Sequence, residues 1–254
     1  EKSVDTGWLA KYWPHIVSAL EWCQKFWDFD GDMLLEYERK NPAGLMHQGW
    51  KDSRMDHLGL KSPIELIEVQ GYYYAALREA AELALMLKNK TLARQLADRS
   101  KKLKAACLKQ FWLPEKNFFA IALSESKFPD GRISSNPGHL LFSGILDGED
   151  DKIKAVADRL FQNDMWTPYG IRTHAESNPD FNPMSYHLGS VWPHDNWIIA
   201  QGLKKYGYNR EYEEIKHALV DAYQVLGEIP ELYAVVEGKI EKIPVACSPQ
   251  AWAS

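Results

Sequence analysis

Apolar residues recur at three- and four-residue steps through most of the chain, the spacing that places them on one face of a helix. Ile16, Leu20, Cys23 and Trp27 form one such stripe, with Lys11, Glu21 and Lys25 off it, and they predict a first helix from about Trp8 to Trp27. The same periodicity predicts helices over about 63–87 and 92–112, one starting at Pro137, a short one over 152–161, one ending near Tyr206, and one over about 211–226. Strand-like alternation is confined to short runs such as 118–123 and 233–243. The expected fold class is all-α, with seven or eight helices in one domain covering residues 1–254.

The segments between these helices alternate in length. Long irregular stretches precede Pro63, Pro137, Pro183 and Pro249, whereas the connections near Asn89, Gly148 and Tyr208 are short. Each of the four prolines follows a Ser or Asn, in Ser62-Pro63, Asn136-Pro137, Asn182-Pro183 and Ser248-Pro249. Ser or Asn at an N-cap accepts an otherwise orphan amide hydrogen bond, and Pro at the next position loses nothing by lacking an N–H. The pattern therefore predicts helical hairpins with their long loops gathered at one end. Loops of that length in a compact domain usually carry function.

Composition narrows the function classes. A chain of 254 residues with 45% hydrophobic content can bury a large core. The net charge of −5 is spread along the sequence, and no basic tract or RNA-type motif points to nucleic acid. No apolar run reaches the ~20 residues that span a bilayer. Cys23, Cys107 and Cys247 are far apart and in no metal-ligand spacing, so they read as buried thiols in a reducing, cytoplasmic compartment. Ten Trp and twelve Tyr are many for a charged domain, and aromatic faces suit sugar stacking as well as core packing.

The candidate chemistry lies in the loops. Gln48-Gly49-Trp50-Lys51-Asp52-Ser53 sets an aspartate two residues from a tryptophan and beside a glycine that permits close backbone approach. A carboxyl held against an aromatic face loses solvent, which raises its pKa and suits a general acid; an Asp-Ser pair is equally at home in a turn. Glu65, Glu68 and Gln70 follow, the two glutamates three residues apart and so expected on one helix face, Glu65 as part of a solvated face. Tyr186, His187, Trp192, His194 and Asp195 occupy another loop; the His-Asp pair has no further ligand at metal spacing. Asp28, Asp30 and Asp32 resemble a calcium loop at first, but Met33 and Arg39 stand where that loop needs Gly and Glu, which leaves a solvated turn. Glu231 sits between Pro230 and Leu232, surroundings that an exposed loop carboxylate does not need. No Gly-rich phosphate loop, Gly-x-Ser-x-Gly elbow or Cys/His nucleophile arrangement is present, and no cofactor or metal is implied. A pair of carboxylates on aromatic-rich loops is what glycosidic hydrolysis requires.

Taken in order, the motifs resemble the glycogen-debranching amylo-α-1,6-glucosidase-like family of six-hairpin (α/α)6 glycosidases. They are Gln48–Ser53, Ile67–Tyr72, Ser135–Leu141, Asn182–Asn196, and Pro230-Glu231-Leu232 with Pro244–Trp252. The resemblance implies a partial (α/α)6 toroid and an inverting mechanism, with Asp52 as general acid and Glu231 as general base. It implies further that Gln48, Trp50, Lys51, Glu68, Gln70, Tyr186, His187, Trp192, His194 and Asp195 line the sugar pocket. His47 and Leu188 stand where that family leads one to expect Asn, and the 234–239 loop differs from its pattern.

The leading expectation is therefore an inverting hydrolase of an α-glucoside or α-glucan, its barrel completed by the remainder of a longer chain or by a partner chain. Inversion requires carboxyl groups roughly 6.5–9.5 Å apart, against about 5–5.5 Å for retention. A carbohydrate-binding module that kept the cleft without turnover is the alternative from another class. A phosphorylase would need a phosphate-holding cluster, which is missing from the loops, whereas His187 and His194 leave an isomerase open.

Overall fold

A computed structural model describes residues 6–45, 47–52, 59–248 and 250–251. Among them are seven α-helices: α1 (Thr6–Phe26), α2 (Ile67–Met86), α3 (Lys90–Phe111), α4 (His139–Ser143, preceded by a 3-10 turn at Asn136–Gly138), α5 (Asp150–Leu160), α6 (Pro193–Lys205) and α7 (Asn209–Leu226). Helices α2, α4 and α6 pack side by side in that order; α3 packs on α2, α5 on the turn leading into α4, and α7 on α6. The result is three successive inner–outer hairpins of an (α/α)6 toroid.

Small residues set how closely these helices approach. Ala80, Ala81 and Ala84 lie on the buried face of α2, while Leu103, Cys107 and Phe111 on α3 are fully buried. Gly202 of α6 crosses the backbone of α4 so tightly that an added Cβ would lie 2.6 Å from the amide nitrogen of Phe142. The short returns are closed by local chemistry. Asn89 caps α3 by accepting from Leu92 N–H at 3.1 Å, and Gly227 ends α7 in the left-handed conformation at φ 74°.

Only one of the expected Ser/Asn-Pro helix starts opens a helical segment among the described residues, namely Asn136-Pro137. Ser62-Pro63 is a cis peptide leading into a strand, Ile64–Leu66, and α2 begins only at Ile67. At Asn182 the side chain accepts from Met184 N–H at 3.0 Å, an Asx turn rather than a cap, and the proline that opens α6 is Pro193. Pro249 lies outside the described residues.

The strand at Ile64–Leu66 belongs to a four-stranded antiparallel sheet, in the order Glu36–Tyr37, Ile64–Leu66, Ala122–Leu123, Pro129–Asp130. Its register places Glu36 opposite Glu65. Glu65 is 1% exposed, so it is neither solvated nor on the helix that carries Glu68. The carboxylates of Asp30 and Asp32 converge on the same spot, each 2.8 Å from the ammonium of Lys127, which is also paired to Glu65. The aspartate turn thus shares the Lys127 cation with the sheet, while Asp30 itself stays exposed as in a solvated turn. Of the cysteines, Cys107 is buried, Cys23 half-buried and Cys247 exposed, against the expectation of three buried thiols. No helix among the described residues is long and apolar enough to cross a membrane.

Candidate active site

The loop of residues 47–52 runs across the ends of the inner helices. Gly49 lies against the start of α2: a Cβ there would fall 2.5 Å from Leu66 Cδ1 and 2.6 Å from Glu68 Oε1. Trp50 points inward, stacked on His139 at 5.5 Å between ring centroids and edge-on to His187, Trp192 and His194. Lys51 is buried beside it, its ammonium 5.3 Å from the Trp50 ring centroid and donating to the Thr173 carbonyl at 2.6 Å, which ties the loop to the segment carrying Thr173. Asp52 and Gln48 are exposed, so the desolvation expected of Asp52 is absent. Ser53 and Asp56 lie outside the described residues.

The stretch before α6 forms the opposite wall. The Tyr186 carbonyl accepts from both Trp192 Nε1 (2.8 Å) and the Ser190 hydroxyl (2.7 Å), folding the loop back on itself. His187 stacks on Trp192 at 4.9 Å. Val191 exchanges backbone hydrogen bonds with Tyr233, which ties this wall to the loop carrying Glu231.

Glu231 is 4% exposed and closely held. Its Oε1 accepts from the Tyr186 hydroxyl at 2.6 Å and from Gln250 at 3.1 Å, and its Oε2 accepts from the Cys247 amide at 3.1 Å. Burial, and then the neighbouring Glu231 carboxylate, push the Tyr186 phenol pKa up; the charge of Asp52 adds to the effect. The phenol therefore stays protonated and lies within electrostatic reach of both proposed carboxylates. The divergent 234–239 segment spans the Glu237-Gly238 turn of a hairpin and the adjoining ends of its strands Tyr233–Val236 and Lys239–Lys242.

Behind the aromatic wall lies a second, fully enclosed layer. His139 is 0% exposed, with Nε2 2.7 Å from Asp195 Oδ1 and Nδ1 against the Tyr72 hydroxyl. Glu68 is 1% exposed; burial raises its pKa, opposed by Asn136, His139 and Lys51 nearby. Gln70 does not reach the pocket: its amide clamps the Leu35 N–H (2.8 Å) and carbonyl (2.7 Å) and the Leu66 carbonyl (3.0 Å). Oδ2 of Asp195 and Nε1 of Trp50 are buried without a protein hydrogen bond. Such atoms are costly, at ~1–3 kcal/mol each and more when charged.

Trp50, Tyr186, His187, Trp192, His194 and Glu231 are thus brought together, with Glu68 and Asp195 behind them. Gln250, Cys247, His139 and Tyr72 are additional members. Gln250 and His139 fall inside the recognised motifs, but their partners lie 19 and 56 residues away, so nothing local marks their roles. Carboxylates of Asp28, Asp30 and Asp32, and of Asp30, Glu36 and Glu65, lie close enough to share a cation; the Lys127 ammonium pairs with all of these but Asp28, which faces Arg99. A hollow of about 430 Å³ between α6, α7 and residues 228–230 touches His194, but it is mainly apolar and contains neither Asp52 nor Glu231.

The family model for the mannosylglycerate hydrolase MGH1-like glycoside hydrolase domain matches residues 13–242. The mannosylglycerate hydrolases MGH1 and MGH2 of Selaginella moellendorffii are each 34% identical over 100 residues, which is 39% of this chain and 20% of theirs. The crystal structure of the GH63 mannosylglycerate hydrolase from Thermus thermophilus in complex with glucose superposes with a TM-score of 0.72 at 17% identity, covering 91% of this chain and 64% of that one. A sialidase structure gives 0.70 at 14% identity, over 92% of this chain and 22% of its own. At these identities the superpositions speak for the fold.

Proposed function

Because the chain belongs to the mannosylglycerate hydrolase MGH1-like glycoside hydrolase family, we propose that it hydrolyses, with inversion, a small glycoside of the mannosylglycerate kind. Asp52 gives its proton to the leaving oxygen as the glycosidic C–O bond breaks. Glu231 takes a proton from the water that attacks the anomeric carbon from the opposite face. The observation that carries this reading is the mounting of Glu231. A buried carboxylate fixed by a phenol, a backbone amide and a side-chain amide is held in one orientation, as a base that aligns water must be. Asp52, exposed two residues beyond an anchored tryptophan, has the accessible setting of an acid that meets an aglycone.

Debranching of α-glucans, the narrower activity that the motifs suggest, belongs to a different six-hairpin family from the one that matches, and the family relationship favours the small glycoside. Sugar release from mannosylglycerate and from short branched α-glucans, each beside a binding titration, tests this. The expected result is release from mannosylglycerate, with Asp52→Asn and Glu231→Gln each losing ~10²–10⁴-fold in turnover while still binding. Release from the glucan alone would return the substrate to the debranching class. Binding without release of any sugar would mark a non-catalytic module.

A further inference from the structure

We propose that Tyr72, His139 and Asp195 form a hydrogen-bonded relay that positions the general-acid loop through the stacking of Trp50 on the His139 ring. This rests on the reading of Asp52 as the acid.

The relay crosses all three inner helices, with Tyr72 on α2, His139 at the start of α4 and Asp195 in the first turn of α6. Its donor order follows from chemistry. Burial, and the charges of Glu68 and Asp195, raise the Tyr72 phenol pKa, so the phenol keeps the proton that His139 Nδ1 accepts in the tautomer protonated on Nε2. The remaining ring proton is then on Nε2, donating to Asp195 Oδ1 at 2.7 Å. Both imidazole nitrogens are therefore used, in opposite senses, and the ring cannot rotate or change tautomer without breaking a bond at 0% exposure. Asp195 is well sited for its negative charge, in the first turn of α6.

Trp50 depends on that ring. Its indole N–H makes no protein hydrogen bond, so its position rests on the Lys51 ammonium, 5.3 Å from its ring centroid, and on ring contacts. Four surround it, and His139 alone lies face to face, at an interplanar angle of 25°, against 62–83° for the others. Two residues on is Asp52, which is exposed. A displacement of ~1 Å in a reacting group can cost ~10²-fold in rate. His139 and Tyr72 are thus positioning residues, acting on proton donation through Trp50 without touching substrate.

The test compares two substrates that differ only in their need for an acid. One glycoside carries an alkyl aglycone, the other a 2,4-dinitrophenyl aglycone that leaves without protonation. Tyr72→Phe keeps the ring and removes one hydrogen bond; His139→Phe keeps an aromatic face and removes both. Each is expected to lower kcat on the alkyl glycoside by ~10- to 100-fold with little change in KM, and to leave the dinitrophenyl rate within about three-fold of wild type. Asp52→Asn should show the same selectivity to a larger degree. If His139→Phe does not fold, Tyr72→Phe decides alone. Equal losses on both substrates, or no loss in Tyr72→Phe, overturn the relay while leaving the acid assignment intact. An Asp52→Asn variant with the leaving-group dependence of wild type, or a wild-type chain that cleaves neither substrate, overturns the acid assignment and the relay with it.

Discussion

Replacing Gly49 by alanine should disturb the acid loop through one added methyl group. The backbone at Gly49 is not left-handed, so the effect is steric. The new Cβ would sit 2.5 Å from Leu66 Cδ1 and 2.6 Å from Glu68 Oε1, about 1 Å or more inside the ~3.5–4.0 Å of an ordinary carbon contact. Neither neighbour can yield easily. Leu66 packs with Tyr37, Ile64 and Ala122 in a small buried cluster, and Glu68 is 1% exposed at the start of α2. Either the core absorbs the strain, at ~1–3 kcal/mol, or the loop moves by about 1 Å and carries Asp52 with it. The first outcome lowers Tm by roughly 2–12 °C for a domain of this size; the second lowers kcat by ~10²-fold with Tm nearly unchanged. Thermal melts and steady-state rates on one preparation distinguish them. Adding Leu66→Ala removes one of the two clashing partners, so the double variant should recover part of the Gly49→Ala loss despite the cost of the cavity. Strictly additive effects, or a Gly49→Ala protein unchanged in both Tm and kcat, would refute the close approach on which the loop's placement depends.

Lys127→Met should destabilise the ion cluster by removing the cation common to Asp30, Asp32, Glu36 and Glu65. With a discount for the partly solvated ammonium, the loss is on the order of 2 kcal/mol, read as a Tm lower by about 4–8 °C; an unchanged Tm would contradict it. Burial, then the charge of Lys51, depress the pKa of His174 against the pull of Asp180, and burial depresses that of His194 against the pull of Asp195. Both imidazoles therefore fold neutral, and their contribution to stability is complete above the ordinary value of ~6.5 and is lost as pH falls through the lowered folded values. NMR titration should find both below ~6.5, and His174→Gln should flatten the loss of Tm between pH 6.5 and 5; a steeper loss would contradict the assignment. Gln250→Ala removes one of the three donors to the Glu231 carboxylate and should lower kcat/KM about ten-fold or more, since a hydrogen bond to a charged group is worth ~1.5–3 kcal/mol. An unaltered rate would show that this donor does not hold the base.

The helices were legible where periodicity is strong. The stripe from Ile16 to Trp27 gives α1 within two residues at its start, and the pattern over 211–226 gives α7 to its last residue. Helix starts were less legible, because Ser or Asn before proline serves a turn as readily as a cap. The Asn182 side chain makes the same kind of hydrogen bond to a backbone N–H two residues on that a cap would make inside a helix. Glu65 was misread because an isolated glutamate near a helical pattern carries no sign of the strand that buries it. Lys127 and Asp30, distant in sequence, meet only because the sheet pairs Ile64–Leu66 with Ala122–Leu123. The same limit applies at the site. Trp50 and Glu231 could be read from local context, whereas Gln70 and Lys51 have residue types suited to sugar contact yet hold the backbone of Leu35 and Thr173. Their partners lie 35 and 122 residues away, beyond any local pattern. The relay through His139 was hidden for the same reason.

The central claim is single displacement between Asp52 and Glu231, and the anomer first released tests it most directly. Proton NMR during the early hydrolysis of an α-linked mannosylglycerate, before mutarotation, should show the β-anomer of the sugar appearing first. The α-anomer appearing first would mean retention through a covalent intermediate, and would contradict the roles given to both carboxylates.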